Sequence, residues 1–491
     1  MKTTTTITAA AATAALSSFF LPPSSFAAAP AAAPNIVLVV ADDFGWTDLG
    51  CMGSKYYESP NIDRFATQGM RFMSAYTMPN CAPTRACLWT GKYSPRTGIY
   101  TVGNSDRGSS YDRKLIPPVN NTTLSLDIPT IPEIIRGSGY MTAVYGKWHL
   151  GHDTEHGPAV RGFDDTVWYD GQNGHFDYIS KPNRPHPKGQ YLCDYLVDQG
   201  IAFMRKATDA KKPFLLVVTH FEVHRPLQAP ESDIALFKNK PPAGGHDDPV
   251  YAGMIHALDA SFGRLVQELD RLGIASNTLI IFTSDNGGLT VPHTTDNAPL
   301  RGGKGMHYEG GIRVPFIARW PGVIQPGATC DTPIHVIDFI PTVLDILHRE
   351  PAQPGTVLDG LSYLPLLKGQ PDAALENRTL YWHCPSYLEG KGKIIWRSTP
   401  GDMIRQGPWK LIEEFEDNHI ELYNLATDLS ETTNLAKQQP KIAADLLAKL
   451  HQWRDSLHGA MPTPSPDYHN PAVKGKKGQN KKKVSAEDAT D

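Results

Sequence analysis

Carboxylate and amide side chains stand at the ends of two apolar runs of this sequence. Asp42 and Asp43 come just after NIVLVV (35–40), and Asp285 and Asn286 close the run TLIIFTS (278–284). Their oxygens are hard ligands, which suit Ca²⁺ or Mg²⁺ better than zinc. Three clustered carboxylates without a cation would raise one another's pKa, so the pattern predicts a hard-cation site. Taken singly, each acid is equally compatible with a helix N-cap or a turn.

Basic side chains form a second set of candidates. Lys147 and His149 are two residues apart, so on an extended backbone they point to the same side. Together with Arg85, His224 and Lys304, they would surround the cation with positive charge. Such a pocket suits an anionic tetrahedral group, phosphate or sulfate. A single lysine or arginine is more often a solvated surface residue.

Cys81 lies in the stretch NCAPTRACLWTGKY (80–93). A cysteine of a secreted chain is usually half of a disulfide or an apolar filler. The chain has six cysteines without a CxxC pair, so their spacing fits no zinc pattern. If Cys81 has a chemical role, five cysteines remain, and at least one of them lacks a disulfide partner.

Short β-branched runs alternate with amphipathic helical patterns from Pro34 onward, which is typical of a sheet covered by helices. Several runs are apolar on both faces, as the strands of a buried, mainly parallel sheet must be. In such sheets ligands gather at the carboxyl ends of strands, so distant polar segments can converge there. The predicted strands are 35–40, 140–146, 213–220, 278–285 and 314–320, and the predicted helices are 61–69, 128–140, 250–273 and 335–349.

The chain divides into four predicted segments. Residues 1–33 have the pattern of a secretory signal peptide with an Ala/Pro leader, the alternative being a disordered tail. Residues 34–370 form an α/β catalytic domain with a large, mainly parallel sheet. Residues 371–460 form a C-terminal subdomain of a small antiparallel sheet, which includes the run GKIIWRS, and one helix over 440–457. Residues 461–491 form a disordered Lys-rich tail, with an electrostatic tether to polyanions as the alternative.

Length, charge and hydropathy limit the protein class. The 491 residues favour a main domain with a smaller one. The chain has 47 Lys and Arg against 51 Asp and Glu, a formal net charge of -4, which argues against a dedicated nucleic-acid binder. Beyond the leader no run approaches the ~20 apolar residues of a membrane span. Together with the signal-peptide pattern of residues 1–33, this predicts an exported protein, periplasmic or secreted.

Several segments together resemble the type I sulfatases of the alkaline phosphatase superfamily. Cys81-Ala82-Pro83-Thr84-Arg85 is similar to the family's Cys-x-Pro-x-Arg signature, although Thr84 stands where the commonest signature has serine. Further segments resemble the family in the same order: Asp42-Asp43, GKWHLG (146–151), VHRP (223–226), TSDNGG (283–288), LRGGKGMHYEGGIRVP (300–315) and WKLIEEFEDNHIELYNLATDLSE (409–431). One such motif is weak, but six in order are strong. The resemblance covers nearly all of 34–460 and implies an alkaline-phosphatase-like fold and sulfuric ester hydrolysis.

The resemblance implies that Cys81 is oxidised after translation to formylglycine (3-oxoalanine). A formylglycine-generating enzyme or an anaerobic sulfatase-maturating enzyme would carry out this conversion. One oxygen of the hydrated aldehyde would attack sulfur and form a covalent sulfate ester. The second hydroxyl would then lose its proton and expel sulfate, which regenerates the aldehyde.

The resemblance also implies a metal site. Asp42, Asp43, Asp285 and Asn286, together with residue 81, would hold Ca²⁺, with Mg²⁺ as the alternative. The ion would lower the pKa of the diol and neutralise sulfate oxygens. Asp285 would in addition take the proton of the attacking hydroxyl.

Basic residues take the remaining roles that the family implies. Arg85 would brace the diol, while Lys147 and Lys304 would contact the sulfate. His149 would deprotonate the second hydroxyl of the diol.

The general acid is predicted to be His224, which would protonate the departing alcohol. His220 is the rival for this role. The family's histidine stands just before x-Pro, which favours His224.

The substrate implied by an exported sulfatase is a sulfated carbohydrate, with aryl sulfates as further substrates. The segment FDDTVWYDGQNGHFDY (163–178) lies where the family places substrate contacts, so His175 and Asp177 are candidates. His293, Trp382 and His383 are weaker candidates, since each is more often a packing or solvated residue.

Two other functions remain open from the sequence. Phosphodiester and phosphonate monoester hydrolases share Cys-x-Pro-x-Arg and the metal-binding acids, although GKWHLG and GGKGMHYEGG resemble sulfatases more closely. A catalytically silent binder of sulfated glycan would have the same pocket with Cys81 never oxidised.

Overall fold

The computed structural model describes residues 1–4, 33–169 and 174–474. The chain divides into two units, Met1–Ala32 and Ala33–Asp491, and the fold below is that of the second unit. The predicted signal peptide falls almost entirely outside the described residues, as does the predicted tail from residue 475 onward. No helix of the described ranges is both long and apolar enough to span a membrane.

The strands, numbered along the described chain, are short and mostly buried. They are Asn35–Ala41 (β1), Met70–Tyr76 (β2), Leu115–Ile116 (β3), Met141–Lys147 (β4), Asp165–Tyr169 (β5), Phe214–Thr219 (β6), Thr278–Ser284 (β7), Arg313–Arg319 (β8), Ala328–Cys330 (β9), Ile334–His335 (β10), Thr379–Cys384 (β11), Leu388–Glu389 (β12), Trp396–Ser398 (β13), Gly401–Gln406 (β14), Trp409–Glu414 (β15), His419–Asn424 (β16) and Thr463–Pro464 (β17).

The α-helices range from single turns to six turns. They are Pro60–Thr67 (α1), Cys81–Thr90 (α2), Ser94–Thr97 (α3), Ile131–Ile134 (α4), Leu192–Asp209 (α5), Glu231–Phe237 (α6), Pro249–Arg271 (α7), Glu309–Ile312 (α8), Phe339–Ile346 (α9), Leu364–Leu367 (α10), Ala373–Asn377 (α11) and Pro440–Ser456 (α12).

The large sheet has the strand order β10-β2-β8-β7-β1-β6-β4-β5, and β9 pairs with β2 at its edge. The strands β7, β1, β6, β4 and β5 run parallel to their neighbours. Strand β8 is antiparallel to both β7 and β2. The prediction of a large, mainly parallel sheet is therefore confirmed.

Two apolar cores cover the faces of this sheet. In β1, Val37 and Val39 point into one core, and Ile36, Leu38 and Val40 point into the other. Helices α1, α5 and α7 contribute to the first core, and α2, α9 and α10 to the second. Burial on both faces explains why the strand is apolar at every position after Asn35.

The C-terminal part contains the predicted small antiparallel sheet, with strand order β11-β14-β15-β16. Leu446 and Leu450 of α12 pack on one face of it, against a core that includes Ile404 and Leu422. The opposite face contributes Met403 to a core shared with residues of the larger sheet. The prediction of a small sheet with one packed helix is confirmed.

Some local predictions were wrong. The predicted helix over 128–140 is reduced to α4, because Gly137 and Gly139 adopt positive φ angles of 77° and 86° in turns that follow it. The run GKIIWRS does not join the small sheet; its strand β13 pairs with β12 in a separate two-stranded hairpin. Strands β2 and β5 were not predicted.

Part of the segment predicted as a disordered tail is ordered. Thr463 and Pro464, within the predicted range 461–491, pair with Ile116 and Leu115 in a two-stranded sheet. A two-residue pairing of this kind has no apolar period that a sequence pattern could reveal.

Candidate active site

The polar segments meet at one edge of the large sheet because their strands are neighbours. Asp42 follows β1, Asp285 follows β7, and Lys147 ends β4, within the order β7-β1-β6-β4. His224 lies in the loop after β6, the strand between β1 and β4. This is the carboxyl edge of the parallel strands, where ligands bind in open α/β sheets.

The acidic residues form a compact buried group. The backbone N–H of Asp43 donates to Asp285 Oδ1 at 3.2 Å, and Asn286 Nδ2 donates to Asp43 Oδ1 at 2.8 Å. Candidate ligand atoms of Asp42, Cys81 and Asp285 lie within 4.8 Å of one another. The same is true of Asp42, Asp43 and His224. The structure thus brings all five predicted metal-binding residues together.

Two oxygens of this group fit a hard cation. Asp42 Oδ1 and Asn286 Oδ1 are buried and accept no hydrogen bond from the described residues. A buried polar atom without a partner costs free energy, and coordination of a cation by these oxygens would remove that cost. Carboxylate and amide oxygens are the ligands that Ca²⁺ and Mg²⁺ take.

Three cationic side chains are paired with the acids. Lys147 Nζ lies 2.8 Å from Asp42 Oδ2, and Lys304 Nζ donates to Asp43 Oδ2 at 3.0 Å. Arg85 donates to Asp285 Oδ2 from Nε at 3.1 Å and from a terminal nitrogen at 2.8 Å. Its other terminal nitrogen donates to the carbonyl oxygen of Lys147 at 2.8 Å. Arg85 therefore ties the end of β4 to the residue after β7.

The surroundings shift the pKa values of the two acids Asp42 and Asp285 in opposite directions. Burial opposes ionisation of Asp42, but the positive charges around it, Lys147 foremost, outweigh burial and hold the pKa of Asp42 well below its usual range. Burial and the neighbouring charge of Asp42 raise the pKa of Asp285 above its usual range, despite Arg85. Opposite shifts of this kind are typical of clustered carboxylates in functional sites.

Cys81 is the first residue of α2, a helix whose ten residues are all buried. The N-cap residue Asn80 accepts a hydrogen bond from the backbone N–H of Cys81 at 3.0 Å. Cys81 forms no disulfide with another described cysteine. The side chain of residue 81 thus lies at the positive end of the helix dipole, where negative charge is stabilised.

The histidines differ in what they face. His224 Nδ1 lies 2.7 Å from the carbonyl oxygen of Arg225, and Nε2 lies 3.9 Å from Asp43 Oδ2. His220 faces Cys193 at 3.4 Å and Glu222 at 3.4 Å in the protein interior. His149 follows β4 with a positive φ of 60°. Of His220 and His224, the two candidates for the acid, only His224 lines the pocket described below.

The predicted substrate contacts have varied positions. His175 is buried, its Nδ1 lies 3.1 Å from Glu222 Oε1, and its Nε2 lies 3.2 Å from the carbonyl oxygen of His224. Asp177 is exposed, and residues 170–173 of the same segment are not described. His293 is exposed and lies 3.7 Å from Asp247. His175 thus supports the His224 loop from behind, a contact that its sequence position did not indicate.

Trp382 and His383 lie in β11, the strand of the small sheet nearest the main body. Trp382 is fully buried, and its Nε1 donates to the carbonyl oxygen of Thr77 at 2.7 Å. His383 is also fully buried, between Asp402 Oδ1 at 2.7 Å and the carbonyl oxygen of Ala460 at 3.0 Å. Both side chains have their polar atoms engaged inside the protein.

Trp382 should contribute strongly to stability. We expect Trp382→Ala to lower the free energy of unfolding by about 3–5 kcal/mol, because a fully buried indole is removed. Trp382→Phe keeps most of the apolar volume and loses the hydrogen bond to Thr77, so its loss should be about 1–3 kcal/mol. Urea unfolding followed by circular dichroism measures both values. Equal, small losses would contradict this packing role.

A cavity of about 460 Å³ opens beside the acidic group. Three buried residues, Asp43, His224 and Lys304, line what we call its inner part. The remaining lining residues were not predicted from the sequence: Arg225, Leu289, Val291, Pro292, Glu389, Gly390, Lys391 and Arg397. Arg225 belongs to the motif VHRP (223–226), so the sequence could have indicated it. The hairpin residues 389–397 were missed because the run was assigned to the small sheet.

Comparison with known proteins agrees with this architecture. The sequence model of the sulfatase family matches residues 34–348, more than half of the chain. The chain belongs to the sulfatase family. The model of the N-sulphoglucosamine sulphohydrolase C-terminal region matches residues 303–456 of this sulfatase.

Similar proteins include enzymes named for sugar sulfates. A sulfatase of Formosa agariphila is 34% identical, over 86% of this chain and 88% of that protein. The N-acetylgalactosamine-6-sulfatase of Canis lupus familiaris is 31% identical, over 71% of this chain and 68% of that protein. The crystal structure of Ps i-CgsB in complex with k-i-k-neocarrahexaose has a TM-score of 0.73 and 29% identity, covering 86% of this chain and 92% of that chain.

Proposed function

We propose that this sulfatase releases inorganic sulfate from sulfated carbohydrates, with residue 81 acting as formylglycine beside a bound Ca²⁺ or Mg²⁺ ion. The proposal rests on the convergence of Cys81, Asp42 and Asp285, whose candidate ligand atoms lie within 4.8 Å of one another at the edge of the sheet. Lys147 contacts Asp42, and Lys304 contacts the neighbouring Asp43. A nucleophile precursor, hard-cation ligands and sulfate-binding cations thus occupy one site.

Residue 81 supplies the nucleophile after conversion of Cys81 by a formylglycine-generating or anaerobic sulfatase-maturating enzyme. The hydrated aldehyde has two hydroxyl groups. The oxygen of one bonds to sulfur while its proton passes to Asp285, and the bond from sulfur to the sugar oxygen breaks. The other then loses its proton, and sulfate leaves as the aldehyde C=O re-forms. A serine in this position would remain sulfated.

The metal ligands would be the side-chain oxygens of Asp42, Asp43, Asp285 and Asn286, together with residue 81. The buried oxygens Asp42 Oδ1 and Asn286 Oδ1, which accept no hydrogen bond from the described residues, support this assignment. A hard cation bound there would neutralise sulfate oxygens and lower the pKa of the hydroxyl at residue 81.

The chain's own cations hold the anionic group in place. Lys147 and Lys304 are almost completely buried, so their charges are weakly screened by water. An ammonium has three donors, so each lysine can contact a sulfate oxygen as well as its carboxylate partner. Arg85 holds Asp285 and the backbone of Lys147, and in this way it fixes the distance between a metal ligand and a sulfate contact.

His224 would be the general acid. The carbonyl oxygen of Arg225 accepts a hydrogen bond from Nδ1, so this nitrogen keeps its proton and Nε2 is the atom that exchanges one. Because His224 lines the cavity, it can protonate the sugar oxygen as that oxygen leaves. His149 would take the proton of the second hydroxyl at residue 81.

His224→Ala should affect substrates according to their leaving groups. For a sugar sulfate we expect turnover to fall about 10²- to 10⁴-fold, because an alkoxide is a poor leaving group and needs the proton. For 4-nitrophenyl sulfate we expect a loss of less than about tenfold, since nitrophenolate leaves without protonation. Sulfate release and nitrophenolate absorbance measure the two rates. Equal losses on both substrates would assign the acid role to another residue.

Sulfated carbohydrate is the proposed substrate class for two reasons. The cavity is lined by charged and small apolar side chains, which suits a polar, anionic ligand. Of the similar proteins described above, one is named N-acetylgalactosamine-6-sulfatase and one was solved in complex with k-i-k-neocarrahexaose. The N-terminal pattern supports export, which would give the enzyme access to extracellular glycans.

The decisive experiment is a panel of sulfated mono- and disaccharides scored for free sulfate. The chain is co-expressed with a maturating enzyme, Cys81→Ala is the blank, and the panel includes an aryl phosphonate monoester. Sulfate release from sugars that the blank does not produce supports the proposal. Preferential cleavage of the phosphonate would assign the second candidate activity. No release by protein whose residue 81 remains an unoxidised thiol would leave the glycan binder, and no release by protein that carries formylglycine would refute the proposed hydrolysis.

A further inference from the structure

The outer part of the cavity contains three cationic side chains that the mechanism above does not use. Arg225 comes directly after His224, and Lys391 and Arg397 come from the hairpin of β12 and β13. All three line the same cavity as His224 and Lys304. Two separate chain segments therefore bring positive charge to the space beyond the scissile sulfate.

Arg225 is held at the wall of the cavity. One terminal nitrogen donates to Thr294 Oγ1 at 2.8 Å, which orients the guanidinium. Its Nε is buried and has no hydrogen-bond partner among the described residues. A guanidinium has five donors in a rigid fork. Thr294 engages only one of these donors, so the half-buried guanidinium can offer others to an anion with several oxygens.

The hairpin of β12 and β13 contributes the other two charges, Lys391 and Arg397, to the cavity lining. Arg397 donates from Nε to the carbonyl oxygen of Glu389 at 3.2 Å and lies 3.5 Å from the carbonyl oxygen of Lys304. The second contact joins the hairpin to the segment that carries a predicted sulfate contact. Lys391 is exposed at the hairpin turn.

Among the described residues that line the cavity, basic side chains outnumber acidic ones. Among the described residues, no carboxylate lies within 4.0 Å of the basic nitrogens of Arg225 or of Lys391. The acids among these described lining residues are Asp43, which Lys304 already engages, and Glu389. A cleft lined by one sign of charge raises the local concentration of ligands with the opposite charge.

We propose that Arg225, Lys391 and Arg397 form a subsite for a second anionic group of the substrate, a sulfate ester or a uronic acid carboxylate near the scissile sulfate. The inference rests on the proposed function and makes it more specific. The preferred substrates would be glycans with at least two anionic groups within one or two sugar units. A cavity of about 460 Å³ lies in the range of about 300–1,000 Å³ typical of ligand pockets.

Binding to an inert enzyme tests the subsite. In the Cys81→Ala background, calorimetry measures the Kd of N-acetylgalactosamine 6-sulfate, of its 4,6-disulfate, and of the 6-sulfated disaccharide with a neighbouring uronate. We expect one of the doubly anionic sugars to bind about tenfold more tightly at low salt, and the ratio to shrink at high salt. Which of the two gains affinity distinguishes sulfate from carboxylate.

Variants locate the second anion. Arg225→Ala should reduce the ratio of the two Kd values to nearly one, Lys391→Ala should reduce it partly, and Arg225→Lys should retain part of it because the charge remains. Lys393→Ala is the matched control: Lys393 is exposed in the same hairpin but does not line the cavity, and the ratio should not change.

The outcomes separate this inference from the proposed function. Equal Kd values for singly and doubly anionic sugars, or a ratio that Arg225→Ala leaves unchanged, would overturn the subsite. Absence of sulfate release by formylglycine-containing protein would overturn the proposed hydrolysis, while the ratio of Kd values is still measured.

Discussion

Cys81→Ala and Cys81→Ser should both abolish sulfate release, with losses on the order of 10⁴-fold or more, as expected when a covalent nucleophile is removed. Alanine has no oxygen to attack sulfur. Serine has one hydroxyl and cannot expel sulfate by re-forming an aldehyde. Turnover of 4-nitrophenyl sulfate, in a burst and at steady state, measures both effects. A single burst from Cys81→Ser without further turnover would be the signature of the missing second hydroxyl.

Mass spectrometry tests the same claim on the unsubstituted protein. In active protein, the peptide that contains residue 81 should lose one sulfur and two hydrogens and gain one oxygen relative to the encoded sequence. Cys87→Ala is the matched control, since Cys87 lies in the same helix, fully buried in an apolar cluster. We expect this control to retain turnover. Full activity of protein whose residue 81 is still a thiol would refute the mechanism.

Asp42→Asn should lower kcat/KM by roughly a thousandfold, because a metal's stabilisation of charge contributes several kcal/mol and each 1.4 kcal/mol is tenfold. Asp42 contacts Lys147 and lies 3.5 Å from Arg85. Without its charge, the site keeps both cations, and the ion is offered a neutral amide oxygen in place of a carboxylate. The bound ion, measured by elemental analysis after dialysis, should fall together with activity.

Asp259→Asn is the control for removal of a buried carboxylate. Asp259 lies in α7 and accepts hydrogen bonds from the backbone N–H groups of Asn61 and Ile62 at 3.0 and 2.7 Å. This variant should lose stability and keep its metal content and its kcat/KM. Chelation should inactivate the unsubstituted enzyme, and added Ca²⁺ should restore it. Full activity of Asp42→Asn after exhaustive chelation would remove the metal from the mechanism.

The sequence was sufficient for the sheet but not for all of its strands. Five strands were predicted within one or two residues because their apolar runs are buried on both faces. Strand β2 was missed, since the polar residues Arg71 and Ser74 interrupt its apolar run. The predicted helix over 128–140 shortened to α4 because glycines with positive φ follow it. A local sequence pattern predicts an element well only where all of the element's residues have the same kind of environment.

The candidate site divides in a similar way. The strand-end positions of Asp42 and Asp285 predicted that they would meet, and the structure brings them together. The contact between His175 and Glu222 was not predictable, because it joins two loops that are far apart in the sequence. The charges of Lys391 and Arg397 were also missed, because hairpin and sheet strands have the same local pattern.

By itself, the sequence determined the chemical types available to this sulfatase: a cysteine in the Cys-x-Pro-x-Arg signature, hard oxygen ligands at strand ends, and lysines and histidines for an anion. The tertiary structure alone decided which of them are buried in pairs and which line the cavity. The physical reason is that residue type and period are local properties, whereas distance and burial follow from the strand order β7-β1-β6-β4 and from where the hairpin packs.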